Sequence, residues 1–125
     1  MQSYRKLIIW QRSVELSRAV YDMTSRFTTE SSGLASQMRR CALALTCAVA
    51  RGGASGYKEQ FRKHVGVARE CGFELTILLD IARSLQVGVA EEMDQVEKSL
   101  LETMSLMTAL ERQLRVTGPV AAMAA

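Results

Sequence analysis

A single proline, a single histidine and only three cysteines stand in this chain of 125 residues. Each scarcity removes a class of protein. One proline and eight glycines exclude an extended linker or a low-complexity segment. One histidine, His64, cannot supply the two Glu-x-x-His pairs of a bundle-type di-iron centre. Neither a Gly-x-Ser-x-Gly elbow nor a glycine-rich phosphate loop occurs. Cys41, Cys47 and Cys71 form neither an even set nor a Cys-x-x-Cys pair, which predicts free, buried thiols in a reducing cytoplasm. Cys41 and Cys47 are six apart, so on a helix they point in different directions and make a poor metal clip. The uncharged run 41–50 is about half of the roughly 20 residues that a membrane span takes. The first fifteen residues regain charge within a few positions and lack a cleavage-site pattern, so no signal peptide is expected. No enzyme, metal, cofactor or membrane follows from this inventory.

What is present is hydrophobic periodicity. Hydrophobic residues make up 48% of the chain, sufficient for one core. Leu34, Met38, Cys41, Leu45 and Ala48 step by four and three, as do Phe61, Val65, Ala68, Gly72, Leu75, Leu79 and Ala82. Met93, Val96, Leu100, Met104, Met107, Leu110 and Leu114 mark a further stripe, and a looser one runs through Leu16, Val20, Met23 and Phe27 with Trp10, Val14 and Tyr21 beside it. These are helical periods, and no window alternates as a strand would. Three breaks separate the stripes. Phe27–Gly33 offers several N-caps, Gly52–Gly56 ends the second helix, and Gln86–Val89 makes the third turn. Glu91, Glu92 and Asp94 suit the positive end of the last helix, which Thr117-Gly118-Pro119 stops. Short turns between four long helices predict an all-α, antiparallel up-and-down four-helix bundle over residues 1–116, with a frayed tail over 117–125.

The second helix raises a question of its own. Besides its core stripe it carries small apolar residues on a second stripe (Ala35, Ala42, Val49) and a third (Leu43, Cys47, Ala50). A helix apolar all round is covered by something, and in a chain this short the expected cover is another subunit. These six residues are therefore candidate interface positions.

Charge is divided along the chain. Residues 1–69 hold twelve Lys/Arg and four Asp/Glu, a balance of +8; residues 70–125 hold four and nine, a balance of −5. A basic surface and an acidic surface are expected on one domain. Arg51, Lys58, Arg62, Lys63 and Arg69 gather around the second turn, with Lys58, Arg62 and Arg69 on one helix face. Arg39 and Arg40 are expected toward the opposite end. Such a face neutralises phosphates without reading sequence, whereas Glu59 pairing with Lys63, and Glu70 nearby, would make it an ordinary solvated surface. Tyr57 and Phe61 are candidate base-stacking rings, Phe61 also being a core candidate. His64 is expected to be a partly exposed structural residue, the methionines core filler, and Glu74 a partner for a neighbouring arginine.

Tyr4-Arg5-Lys6-Leu7-Ile8-Ile9-Trp10-Gln11, Glu15-Leu16, Phe27, Gly33-Leu34-Ala35-Ser36-Gln37-Met38-Arg39-Arg40, Gly52, Phe61, Ala68 and Glu74-Leu75 follow one another in an order and spacing that resembles a known family. It is the bacterial four-helix bundle proteins whose founding members are encoded in intervening sequences of 23S rRNA genes, and the resemblance covers roughly residues 4–115. Where that family commonly has a serine, a proline and then Asn-Ile-Ala-Glu-Gly, this chain has Ala44, Thr46 and Ala48-Val49-Ala50-Arg51-Gly52, losing the Asn and Glu at Ala48 and Arg51. The family is similar in fold to the accessory protein of diversity-generating retroelements, which assists a reverse transcriptase and binds nucleic acid. The resemblance implies a ring-like homopentamer. Three readings remain open. One is a non-enzymatic cytoplasmic oligomer binding RNA or DNA, foremost structured or ribosomal RNA. Another is a scaffold or accessory subunit docking a protein such as a reverse transcriptase. The third is a small-molecule-binding bundle with a Met-rich core.

Overall fold

The computed structural model describes residues 3–115, so the tail expected over 117–125 and its stop signal lie outside the described residues. Four antiparallel helices follow one another up and down: α1 (Ile8–Thr24), α2 (Ser32–Ser55), α3 (Lys58–Leu85) and α4 (Ala90–Leu114). Short 3-10 turns at Tyr4–Lys6 and Thr29–Ser31 lead into α1 and α2. Among the described residues there is no strand. Each helix packs on two neighbours, α1 on α2 and α4, α3 on α2 and α4.

The turns depart from the expected chemistry at one side. Ser31 sits at the N-cap position of α2 without a side-chain bond, because the chain coils through the 3-10 turn straight into the helix. The helix also runs through Gly52 and Gly53 instead of ending there. Gly56, at φ 78°, is the left-handed terminator. Gly52 and Gly53 serve close approach. A Cβ on Gly52 would lie 2.9 Å from the Phe61 ring, and one on Gly53 would lie 2.5 Å from the Leu7 side chain. At the end of α3, Gln86 takes the left-handed conformation, and the Gln86 and Val87 amides donate to the Arg83 and Ala82 carbonyls.

All seven residues of the α3 stripe are buried, as are Met38, Cys41, Leu45 and Ala48 on α2. Fully burying one such Leu or Phe contributes about 1.5–3 kcal/mol. On α4 Thr103 is buried and Met104 is only half-buried, its sulfur lying in the space left by Gly72.

The second helix is covered mostly from within its own chain. Ala42 and Val49 are fully buried in the subunit core, which corrects their assignment as interface positions: they have no surface to offer a partner. On its α1 side the seam is polar. Ser17 Oγ bonds the Thr46 hydroxyl at 2.9 Å, and Thr46 donates to the Ser13 and Ala42 carbonyls. Ala35 and Ala50 are half-buried, and Leu43 and Cys47 are exposed. The stripe through Leu43 and Cys47 is therefore the one that this chain leaves open. Cys47 is not the buried thiol expected; Cys41 is buried and Cys71 half-buried, and all three are free.

Candidate nucleic-acid interface

Antiparallel topology brings four chain segments to one end of the bundle: the start of α1, the end of α2, the start of α3 and the end of α4. Leu7 and Tyr4 lie against Gly53, and Arg69 of α3 bonds Glu111 of α4. Arg51, Lys58, Arg62, Lys63 and Arg69 are gathered there as the sequence suggested. The fold adds Arg5 and Lys6 from the first turn and Arg112 and Arg115 from the last. Nine cations thus share this end with three carboxylates, Glu59, Glu70 and Glu111, among the described residues. The addition was implicit in the up-and-down order, which returns both flanks of the bundle to the α2–α3 turn.

Two of the three carboxylates are engaged by arginines. Glu59 takes Arg62 at 2.8 Å and 3.1 Å rather than the expected Lys63. Glu111 accepts from both Arg69 and Arg115, its side chain only 17% exposed. The Arg62 hydrogen bond holds the Glu59 carboxyl below the usual range, and that of Arg69, with Arg115 behind it, does the same for Glu111. Three acids neutralise at most three of nine charges, and Arg51 makes no hydrogen bond or ion pair among the described residues. Tyr57 is 71% exposed at this end, whereas Phe61 is fully buried and is a core residue, not a stacking platform.

The opposite end has the reverse sign. Asp22, Glu30, Asp80, Glu91, Glu92, Asp94 and Glu97 outnumber by one the cations Arg18, Arg26, Arg39, Arg40, Arg83 and Lys98. Arg26 pairs with Glu92, and Arg83 with Asp94 and Glu97. Arg39 and Arg40 are not joined to the basic end. Arg39 donates to the Thr24 hydroxyl at 2.8 Å and lies 4.4 Å from the centre of the Tyr21 ring.

The remaining chemical residues have structural roles. His64 Nδ1 lies 2.8 Å from the Gln60 carbonyl, one turn back. Glu74 meets no arginine; it accepts a hydrogen bond from the Cys41 thiol at 2.8 Å. Burial first, and Glu74 second, push that thiol up to about 12. Among the described residues no group of three or more His, Cys, Asp or Glu is placed to hold a metal ion, and no helix is long and apolar enough to cross a membrane.

One surface escaped the sequence reading. Phe73, Ile77, Ile81 and Leu85 follow at four-residue steps along the outer face of α3 and are 64%, 46%, 43% and 60% exposed. Leu43 on α2 is 44% exposed. Glu70, Glu74 and Asp80 flank the α3 row, while α2 carries three arginines and no carboxylate.

Comparison with curated proteins gives no match. Residues 5–109, which take in α1 to α3 and most of α4 with the Arg39-Arg40 entry into α2 and the close Gly52 contact, are matched by a family model, and the chain belongs to the 23S rRNA-intervening sequence protein family.

Proposed function

We propose that this chain is a non-enzymatic, homo-oligomeric protein of the bacterial cytoplasm that binds nucleic acid, foremost structured or ribosomal RNA, through the basic end of its bundle. The observation that carries the reading is the concentration of nine cations against three carboxylates at that end. Phosphates are neutralised there without sequence being read, and the exposed Tyr57 ring is available for stacking. The family's name, which refers to a 23S rRNA intervening sequence, supports RNA as the polyanion. Three free thiols suit a reducing compartment.

Self-association is supported by the apolar row of α3 and by Cys47 of α2. A row of this kind, flanked by carboxylates on α3, suits head-to-tail contact between copies, which closes into a ring. Five subunits is the number that the family resemblance implies. The same apolar row favours a second reading, an accessory subunit that docks a nucleic-acid enzyme such as a reverse transcriptase. The Met-rich small-molecule site finds no support, since Met23, Met38 and Met107 are fully buried filler.

The test replaces Arg51, Lys58 and Arg62 together by glutamine. RNA affinity should fall for all sequences, and the slope of log affinity against log salt should become shallower as fewer counterions are released. Equal affinities and slopes would exclude this end, and no RNA binding by the unaltered protein at low salt would move the docking reading ahead.

A further inference from the structure

At the end away from the basic cluster, a cleft of about 710 Å3 opens between the close of α1 and the start of α2. That volume lies within the range of about 300–1,000 Å3 typical of small-ligand sites. Its chemistry is one-sided. Arg39 and Arg40 stand in its wall with the hydroxyls of Thr28, Thr29, Ser32 and Ser36, and no carboxylate lines it. The surrounding end of the bundle carries seven carboxylates, none of them in this wall.

The two arginines differ in a useful way. Arg39 is fixed: its Nε donates to Thr24 Oγ1, its Nη2 reaches the Tyr21 carbonyl, and its guanidinium lies over the Tyr21 ring. Arg40 is exposed and makes no hydrogen bond or ion pair among the described residues. The side-chain hydroxyls of Thr28, Thr29, Ser32 and Ser36 are likewise without a partner there. The cleft therefore combines an uncommitted cation and several uncommitted hydroxyls, which suit a phosphate, with a rigid flat guanidinium, on which a planar base stacks. Phe27 and Leu43 complete an apolar side.

We infer that this cleft binds a nucleotide, the phosphate held by Arg40 and the neighbouring hydroxyls and the base lying against the Arg39–Tyr21 stack. The site is at the other end of the molecule from the surface proposed for RNA, and it stands or falls independently. The phosphate can come from two sources, a free mononucleotide or the 5′ end of an RNA strand.

Calorimetric titration of the full chain with AMP, with adenosine, and with a short oligoribonucleotide carrying either a 5′-phosphate or a 5′-hydroxyl decides the matter. AMP should bind saturably and more tightly than adenosine, and Arg40→Gln should weaken it by about tenfold or more, the loss of a charge-assisted hydrogen bond. The triple glutamine variant of the basic end should bind AMP unchanged. If AMP does not bind but the 5′-phosphate strengthens oligonucleotide binding and Arg40→Gln abolishes that advantage, the strand end is the ligand. Since Arg40 makes no hydrogen bond or ion pair among the described residues, its variant should retain the wild-type circular dichroism and melting temperature. AMP binding that is indifferent to both Arg40→Gln and Arg39→Gln would overturn the inference, as would no AMP binding together with no effect of the 5′-phosphate.

Discussion

Two glycines in long helices give opposite expectations for the same substitution. Alanine is favoured over glycine in a helix interior by about 1 kcal/mol. At Gly66, in α3, an added Cβ meets nothing within 4 Å, so Gly66→Ala should realise most of that gain. At Gly52, in α2, the Cβ would lie 2.9 Å from the Phe61 ring, 3.0 Å from His64 Cβ and 3.2 Å from the Phe61 backbone. None of these atoms is the free end of a flexible chain, and Phe61 is fully buried. Overpacking of this kind costs about 1–3 kcal/mol; with contacts this short on a fully buried ring the upper part of that range applies and exceeds the propensity gain, so a net loss of up to about 2 kcal/mol is expected. For a domain of this size 1 kcal/mol moves the melting temperature by about 4 °C. Thermal unfolding followed at 222 nm, at one matched protein concentration because assembly shifts the midpoint, should place Gly66→Ala above the unaltered protein and Gly52→Ala below it. Equal or raised stability in Gly52→Ala would refute the close-packed α2–α3 seam. Destabilisation by Gly66→Ala would show that its face of α3 is covered.

Further expectations bear on assembly, electrostatics and the thiols. Phe73→Ser with Ile77→Ser removes exposed apolar surface without touching the core, so light scattering should show a smaller particle with helicity intact; an unchanged mass would remove this row from the interface. Native titration with a thiol reagent should modify Cys47 first and Cys41 only on unfolding, Cys41 being buried and its thiol held neutral. If Cys47 reacted only after dilution, the α2 face would be the one covered in the oligomer. Glu111→Gln should cost about 1 kcal/mol or less at pH 7, because Arg69 remains 41% exposed and its pairing is screened. The Glu111 carboxyl is held low in the folded state, so its contribution is present above the ordinary carboxylate value and is lost as pH falls through the folded one. The difference in stability between variant and unaltered protein should therefore close in acid, and a gap that persisted there would mean that packing, not charge, is at stake.

The helices were legible because burial writes a 3.6-residue period into the chain, and every residue of the α3 stripe from Phe61 to Ala82 is buried as that period requires. Ser13, Ser17 and Thr24 on α1 were not legible. Hydroxyls read as surface, yet here they are buried, each satisfied by a main-chain carbonyl, Ile9, Ala42 or Val20 respectively. The same limitation misplaced Ala42 and Val49, since small apolar residues suit a subunit core and a subunit interface equally. The row Phe73, Ile77, Ile81 and Leu85 was present in the sequence as four-residue steps, but a second period beside a stronger one on the same helix is easily passed over. For the basic end, residues near in sequence were found and those brought near only by topology, Arg5, Lys6, Arg112 and Arg115, were not.

The division of charge between the two ends gives the molecule a long-axis electrical moment. The 28 residues of α3 span about 42 Å, several times the screening length of roughly 8 Å at physiological ionic strength. The poles therefore act on their surroundings separately. A polyanion is drawn to the basic pole in preference to the other, so an approaching copy is turned before it touches. If RNA is that polyanion, steering of this kind should raise the association rate, and added salt should remove the gain.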